Sequence, residues 1–176
     1  MTGGWLSLVA GTAVVFTVLL FARALVHKLA DFTAFTGFVA DYGVVPERMV
    51  RPAALAVVAA EAAVVALLLI PATAAAGGVL AAAVLAAYGL AMAAVIRSGR
   101  RFVECGCGGA VQPVGRPLLV RNAILAAVAL SAAIGGADGF GLGETLAVIV
   151  SGFTAFVGYL LAEQLLGNAA HAAARP

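Results

Sequence analysis

Charged residues are scarce in this sequence. Of its 176 residues, 10 are Lys or Arg and 8 are Asp or Glu, whereas 64% are hydrophobic. A soluble domain has about 25% charged residues, and the 10% found here cannot cover a core of this size with a polar surface. The composition excludes soluble globular, disordered and disulfide-stapled secreted proteins. No basic run is interleaved with aromatic residues, so we expect no nucleic-acid partner.

The apolar residues are instead gathered into five long stretches. A membrane helix needs about 17–25 mostly apolar residues. Ala and Leu dominate the stretches, and the alternation typical of barrel strands is absent, which favours helices. We therefore predict an all-α, polytopic transmembrane helical bundle that forms a single membrane domain over residues 1–176. The predicted spans are 5–22, 53–70, 72–96, 118–134 and 145–162.

The basic residues all fall on one side of such a bundle. Four lie at the first connection, five in or beside the third connection, and Arg175 lies in the tail. Lys and Arg are retained on the cytoplasmic side of a membrane. The sequence therefore predicts an outside N-terminus, an inside C-terminus, and both long connections inside.

The first connection contains an amphipathic segment. Between residues 31 and 42, aromatic and apolar residues recur at helical spacing on one face. We predict a helix in the membrane interface over 31–42, with this face turned toward lipid or toward the bundle. Asp31 is expected to cap its start, and Pro46 to mark the exit.

The only two cysteines lie in the connection 97–117, which we call the cysteine loop. Cys105 and Cys107 are separated by one glycine, and a disulfide between them would close a small, easily reduced ring. The surrounding arginines favour thiolate, opposed by Glu104. We predict a redox-active pair. Half of a metal site, completed by His27 and a glutamate, and a purely structural role remain open as alternatives, and we predict no metal.

Glu61 is the second chemical feature, because it lies in the middle of the second span. A charged side chain there costs roughly 2.5–3.5 kcal/mol on insertion scales. It is either a proton carrier or ligand-orienting group, or one half of a structural ion pair with Arg121 or Lys28. The basic groups at the helix ends, His27-Lys28 and Arg121-Asn122, are expected to reach toward lipid phosphates.

Several short motifs follow one another along the chain. They are Ala-Leu-Val-His-Lys-Leu-Ala-Asp at 24–31, Phe35, Asp41-Tyr42, Val45-Pro46, Glu61, Tyr88, Glu-Cys-Gly-Cys-Gly-Gly at 104–109, and Leu-Val-Arg-Asn at 119–122. In these motifs and their order the chain resembles the MauE family of methylamine-utilisation membrane proteins, grouped with DoxX-like four-helix proteins. The resemblance covers about residues 16–135. Glu104 departs mildly from the family pattern, where this position is often Asp.

The resemblance implies a four-helix core in a bacterial cytoplasmic (inner) membrane, and the predicted span 145–162 adds a fifth, C-terminal helix that lies outside the recognised region. It implies methylamine metabolism and maturation of disulfide-containing proteins beside a thioredoxin-like partner, and it admits a quinone as cofactor. The chain would then be a membrane thiol–disulfide oxidoreductase; the alternative is a non-catalytic scaffold or small-solute carrier that uses Glu61. The candidate catalytic residues are Cys105 and Cys107, supported by Glu61, His27, Lys28, Glu104, Arg121 and Asn122.

Overall fold

Six α-helices form the described part of the molecule. The computed structural model describes residues 3–99, 114–134 and 140–173. Short 3-10 turns at Glu47–Met49 and Pro71–Thr73 precede the third and fourth helices. No strand occurs in the described ranges, and the predicted all-α bundle is confirmed. The helices are α1 (Gly3–Ala30), α2 (Phe32–Tyr42), α3 (Val50–Leu69), α4 (Ala74–Arg97), α5 (Arg116–Ile134) and α6 (Leu142–Ala173).

Five of these helices, all except α2, are long and apolar enough to cross a membrane. A helix satisfies its backbone hydrogen bonds internally, which a segment surrounded by hydrocarbon requires. The five helices make the chain a multi-pass membrane protein. α2 has only 11 residues and falls short of the length that spans a bilayer.

Two helices extend well beyond the predicted spans. The sequence-based limits stopped at residues 22 and 162, where charged residues begin, but α1 continues to Ala30 and α6 to Ala173. A charge does not interrupt the helical backbone, and the charges just past these limits have partners inside the bundle, as described below. The extensions therefore bring polar side chains of α1 and α6 into the interior of the fold.

The bundle is organised around α1 and the α4–α5 pair. α1 contacts α3, α5 and α6, while α4 packs against α3 and along α5. Small residues allow close approach, as expected between membrane helices: a Cβ added at Gly78 would lie 2.7 Å from the carbonyl oxygen of Ala129. The buried core contains Phe16, Phe21, Val64, Leu68, Ala81, Ala82, Val84, Leu85, Leu125 and Ala129.

α2 lies across the end of α1 and touches α3 and α4. Asp31 caps it as predicted: its Oδ1 accepts a hydrogen bond of 2.8 Å from the Ala34 backbone N–H. Gly43 ends it in the left-handed conformation, with φ 59°. Phe35 is buried, so the aromatic face turns toward the bundle at this residue. A position of α2 in the membrane interface stays a prediction.

Candidate functional site

A buried cluster of three polar side chains joins α1, α3 and α4. The Lys28 ammonium donates to Glu61 Oε1 over 2.7 Å, and the Tyr88 hydroxyl donates to the same oxygen over 2.6 Å. Glu61 has no exposed surface, and Lys28 is 2% exposed. Glu61 Oε2 has no hydrogen-bond partner among the described residues. This cluster places a carboxylate, an ammonium and a phenol within hydrogen-bond distance in an apolar interior.

Aromatic rings complete the surroundings of the Lys28 ammonium. Its Nζ lies 5.2 Å from the centroid of Phe35 and 5.6 Å from the centroid of Tyr88, within the range in which a ring face attracts a cation. The expectation that Lys28 reaches toward lipid phosphates is wrong. The acid in the next span offers a nearer, stronger acceptor, so the side chain turns inward instead of extending along α1.

A second polar cluster joins α1, α5 and α6 through Glu163. Arg121 Nη1 donates to Glu163 Oε1 over 2.8 Å, and Arg23 Nη1 donates to Oε2 over 3.2 Å. The Tyr159 hydroxyl also donates to Oε1, over 2.6 Å. Glu163 is 5% exposed. Of the two partners that the sequence suggested for Glu61, Lys28 is therefore the one bonded to it, while Arg121 binds the carboxylate of α6.

Both clusters border one small cavity of about 40 Å³. Such a volume holds about two or three water molecules, which is too little for most organic solutes. Its apolar wall comes from residues of the core, such as Phe21 and Leu125. The polar side chains that line it are Arg23, Lys28, Glu61, Tyr88, Arg121, Asn122 and Tyr159.

A larger cavity of about 200 Å³ lies between α2, α3 and α4 and shares Lys28 and Tyr88 with the small cavity. Its walls are mainly apolar and include Phe35, Phe38 and Met92. A cavity of about 150 Å³ accommodates benzene, so this cavity is large enough for a single ring.

Of the remaining predicted site residues that the structure describes, Asn122 is buried and His27 is exposed. Asn122 is 3% exposed, and its Nδ2 donates over 3.2 Å to the backbone carbonyl of Leu85. His27 lies on the exposed side of α1. Cys105, Cys107 and Glu104 lie outside the described residues. Within the described part of the chain, no three His, Cys, Asp or Glu side chains converge to hold a metal ion.

Sequence reasoning missed the part that α6 plays. The predicted spans end at residues 22 and 162 and leave Arg23 and Glu163 outside, whereas these two residues form an ion pair between α1 and α6. Their signal was present: Glu163 is an acid directly after an uncharged 18-residue stretch, and Arg23 directly follows another. Tyr88 was noticed only through the resemblance, because a lone tyrosine in an apolar helix has no distinctive pattern.

The side chains of the Lys28–Glu61–Tyr88 cluster include groups that can exchange protons. Glu61 offers one carboxylate oxygen bonded to Lys28 and Tyr88 and a second oxygen without a partner in the described part of the protein. Both the ammonium and the phenol carry exchangeable protons. The cysteine loop joins α4 to α5, and Tyr88 and Asn122 of those two helices line the small cavity.

The family model and three relatives that match this chain share one description. A family model described as methylamine utilisation protein MauE matches residues 5–135. The methylamine utilization protein MauE of Paracoccus denitrificans is 36% identical over 160 residues, which is 89% of this chain and 86% of that protein. The protein of the same name from Paracoccus versutus is 36% identical over 156 residues, 86% of this chain and 84% of the relative.

A third relative, methylamine utilization protein MauE of Methylorubrum extorquens, is 36% identical over 120 residues, covering 67% of this chain and 64% of its own length. No solved structure matches the chain. The similarity therefore extends along most of the sequence, and the matched residues include those of the Lys28–Glu61–Tyr88 cluster.

Proposed function

Because the chain belongs to the family of the methylamine utilisation protein MauE, we propose that it serves methylamine utilisation as a membrane thiol–disulfide exchange protein whose reactive groups are Cys105 and Cys107. The relatives' names supply the metabolic context. The chemistry is argued from this chain's own residues: two closely spaced cysteines in the loop that joins α4 to α5, and a buried acid on α3 that can take up a proton.

In the proposed exchange, the cysteine pair is oxidised and a disulfide of a thioredoxin-like partner is reduced. The two thiols of Cys105 and Cys107 lose two electrons and two protons, and one S–S bond forms between them. The partner's S–S bond breaks and takes up the two electrons and two protons as two thiols. The reverse direction regenerates the dithiol. A mixed disulfide between one cysteine and the partner is the intermediate of such an exchange.

The observation that carries the proposal is the hydrogen-bonded carboxylate of Glu61 inside the bundle. A thiol must lose its proton before its sulfur attacks a disulfide, so an internal proton acceptor is useful to this chemistry. Glu61 borders the small cavity with Asn122, which lies in the second turn of α5, the helix that follows the cysteine loop. In the proposed mechanism Glu61 takes up the thiol proton and Lys28 and Tyr88 orient its carboxylate.

A quinone is the cofactor that the resemblance admits, and the larger cavity beside Lys28 fits one ring. A bound quinone would supply a two-electron, two-proton acceptor for the dithiol. Lys28 would donate a hydrogen bond to an oxygen at the cavity wall, and Phe35 and Phe38 would exclude water from the ring.

Localisation in the bacterial inner membrane with an outside N-terminus is part of the same proposal. Arg23 in the C-terminal part of α1 and Arg121 near the start of α5 bind Glu163 in the C-terminal part of α6. These helix ends belong to the side that carries all ten basic residues, which is retained in the cytoplasm. The cysteine loop and its partner would meet on that side.

Thiol trapping tests the proposed function. Membranes that contain the full chain are equilibrated at graded redox potentials, alkylated and analysed by mass spectrometry, with Cys105→Ser and Cys107→Ser as matched controls. We expect both thiols to be protected together in the oxidised protein and labelled together after mild reduction, and each single variant to lose this protection. If both thiols stay free under conditions that oxidise a control thioredoxin, the exchange function is excluded and a scaffold or carrier remains.

A further inference from the structure

Glu163 of α6 receives hydrogen bonds from side chains of three helices. Its Oε1 accepts from Arg121 of α5 and from Tyr159 of its own helix, and its Oε2 accepts from Arg23 of α1. The family model ends at residue 135, so both arginines lie within the matched region, while their shared carboxylate lies beyond it. A helix that the family resemblance did not cover thus supplies the counter-ion for two residues that it did cover.

Both arginines line the small cavity that Glu61, Lys28 and Tyr88 border. A guanidinium is always charged in a protein and has its donors in a fixed plane, so the direction of a partly buried arginine follows its anionic partner. We propose that Glu163 is a positioning residue of this cavity: it holds Arg23 and Arg121 at the cavity wall and makes α6 part of the functional site. The inference rests on the proposed function insofar as the cavity serves thiol exchange.

α6 also packs against α1 through contacts that lie outside this charge cluster. A Cβ added at Gly152 would lie 2.5 Å from the side chain of Val15, so the two helices touch directly at that level. Gly152 and Glu163 are 11 residues apart, about 16 Å along a helix at 1.5 Å per residue. Phe16 also packs edge-on against Phe156, with ring centroids 6.4 Å apart. α6 therefore has apolar contacts that keep it docked when the charge of Glu163 is removed.

A purely structural role predicts a different outcome from a positioning role. As a structural counter-ion, Glu163 would affect only how much folded protein accumulates. As a positioning residue, it also controls where the guanidinium groups of Arg23 and Arg121 lie in protein that has folded. The reactivity of those two arginines toward an arginine-specific reagent measures the second effect directly, and it requires no assumption about the cysteines.

The test uses the full chain in lipid nanodiscs and phenylglyoxal as the probe. Rates of modification at Arg23 and Arg121 are measured by mass spectrometry in the unaltered protein, Glu163→Gln and Glu163→Asp. Glu144→Gln is the matched control, since Glu144 is an exposed acid at the start of the same helix. We expect Glu163→Gln to raise modification of both arginines several-fold, Glu163→Asp to raise it by a smaller but measurable factor, and the control to change nothing.

A second readout connects the arginines to the chemistry. The rate of Cys105–Cys107 oxidation should fall several-fold in Glu163→Gln and recover in Glu163→Asp. If modification of the arginines stays at the unaltered rate in Glu163→Gln, the positioning role is wrong. If modification rises while oxidation of the cysteines is unaffected, α6 does not belong to the exchange site.

The exchange function and the positioning role of Glu163 can each be refuted without the other. Cysteines that never oxidise in the unaltered protein would refute the exchange function, while the arginine rates would still decide the role of Glu163. If Glu163→Gln does not accumulate in membranes, the Asp variant decides: its carboxylate is one methylene shorter, and modification of Arg23 or Arg121 must differ measurably from the unaltered protein. Identical rates in that variant overturn the positioning role.

Discussion

Lys28 and Glu61 form a buried ion pair, with 2.7 Å between Nζ and Oε1. Lys28 lies near the end of α1, and Glu61 near the middle of the 20-residue α3. The pair joins α1 to α3 inside the bundle. Because neither side chain has more than 2% exposure, each charge depends on the other for compensation. The pair fixes α1 and α3 in one register and presents a carboxylate to the small cavity.

Removing only one of the two charges of this pair should destabilise the protein strongly. Lys28→Met leaves a buried carboxylate without its cation, and Glu61→Leu leaves a buried ammonium without its anion. We expect each to lower the free energy of unfolding by about 3–5 kcal/mol. The combined Lys28→Met, Glu61→Leu variant should lose much less than the sum, because no uncompensated charge remains. Unfolding in mixed micelles, monitored by circular dichroism, gives the four values of the cycle.

Glu47→Leu is the control for this cycle, since Glu47 is exposed in the turn before α3. A surface substitution of this kind changes stability by no more than about 0.5 kcal/mol. If the double variant loses as much stability as the two single variants added together, Lys28 and Glu61 are not energetically coupled, and the pair does not fix the register of α1 and α3.

Glu61→Gln separates the shape of this side chain from its acid function. The amide has nearly the same size and keeps a carbonyl oxygen to accept from Lys28 and Tyr88. It cannot take up a proton as the carboxylate does. We expect membrane insertion to be preserved and the rate of Cys105–Cys107 oxidation to fall clearly below that of the unaltered protein. Glu61→Leu, measured alongside, reports the effect of altered packing.

Stopped alkylation at intervals after addition of oxidised thioredoxin measures that rate, and Glu47→Gln provides the matched exposed substitution. A rate in Glu61→Gln equal to that of the control would make Glu61 a structural residue. The candidate site would then be restricted to the cysteine loop.

The helical fold could be read from the sequence, whereas the partners of the charged residues could not. Long runs of Ala, Val and Leu have one stable solution in a bilayer, and they fix the helices and their number. The pairing of Lys28 with Glu61, and of Arg121 with Glu163, depends on which helices become neighbours and how each is rotated. The composition of a span does not encode that rotation when its residues are apolar on all sides.

The misjudged positions share one physical cause. The predicted spans end before Arg23, Lys28 and Glu163 because an isolated charge is costly in hydrocarbon. That cost falls when an oppositely charged side chain is met inside the protein. Only the three-dimensional structure reveals which charges compensate each other. The two arginines bonded to Glu163 lie 42 and 140 residues away from it in the chain.

The orientation in the membrane can be tested with reporter fusions. We expect an N-terminal reporter to be active outside, and reporters fused near Gly109 and after Asn168 to be active inside, because all ten basic residues belong to the latter side. A fusion within the 70–74 turn between α3 and α4 should be active outside and serves as the internal control. A reporter near Gly109 that is active outside would reverse the assignment and favour contact of the cysteine loop with extracytoplasmic thiol partners.

Two glycines of α4 should respond to alanine in opposite directions. A Cβ at Gly78 would lie 2.7 Å from the backbone oxygen of Ala129 and 3.1 Å from the backbone nitrogen of Ala133, whereas a Cβ at Gly89 meets nothing within 4 Å. Backbone of α5 cannot rotate away as a side chain can, so Gly78→Ala must separate the helices. We expect a loss of about 1–3 kcal/mol for Gly78→Ala, and a gain of about 0.4–1 kcal/mol for Gly89→Ala, because alanine restricts the unfolded chain.

Thermal unfolding of detergent-solubilised protein, followed by size-exclusion chromatography, distinguishes the two variants. Because the substitution, the helix and the apolar surroundings are shared, helix propensity raises the stability of both equally, and only the contact with α5 differs. Equal shifts of the unfolding temperature in Gly78→Ala and Gly89→Ala would therefore contradict the close packing of α4 on α5. The packing of α4 on α5 also sets the distance between Leu85 and Asn122. In Gly78→Ala protein that still folds, the hydrogen bond between them, 3.2 Å long in the unaltered protein, should therefore weaken. The cavity wall should be altered where α4 meets α5.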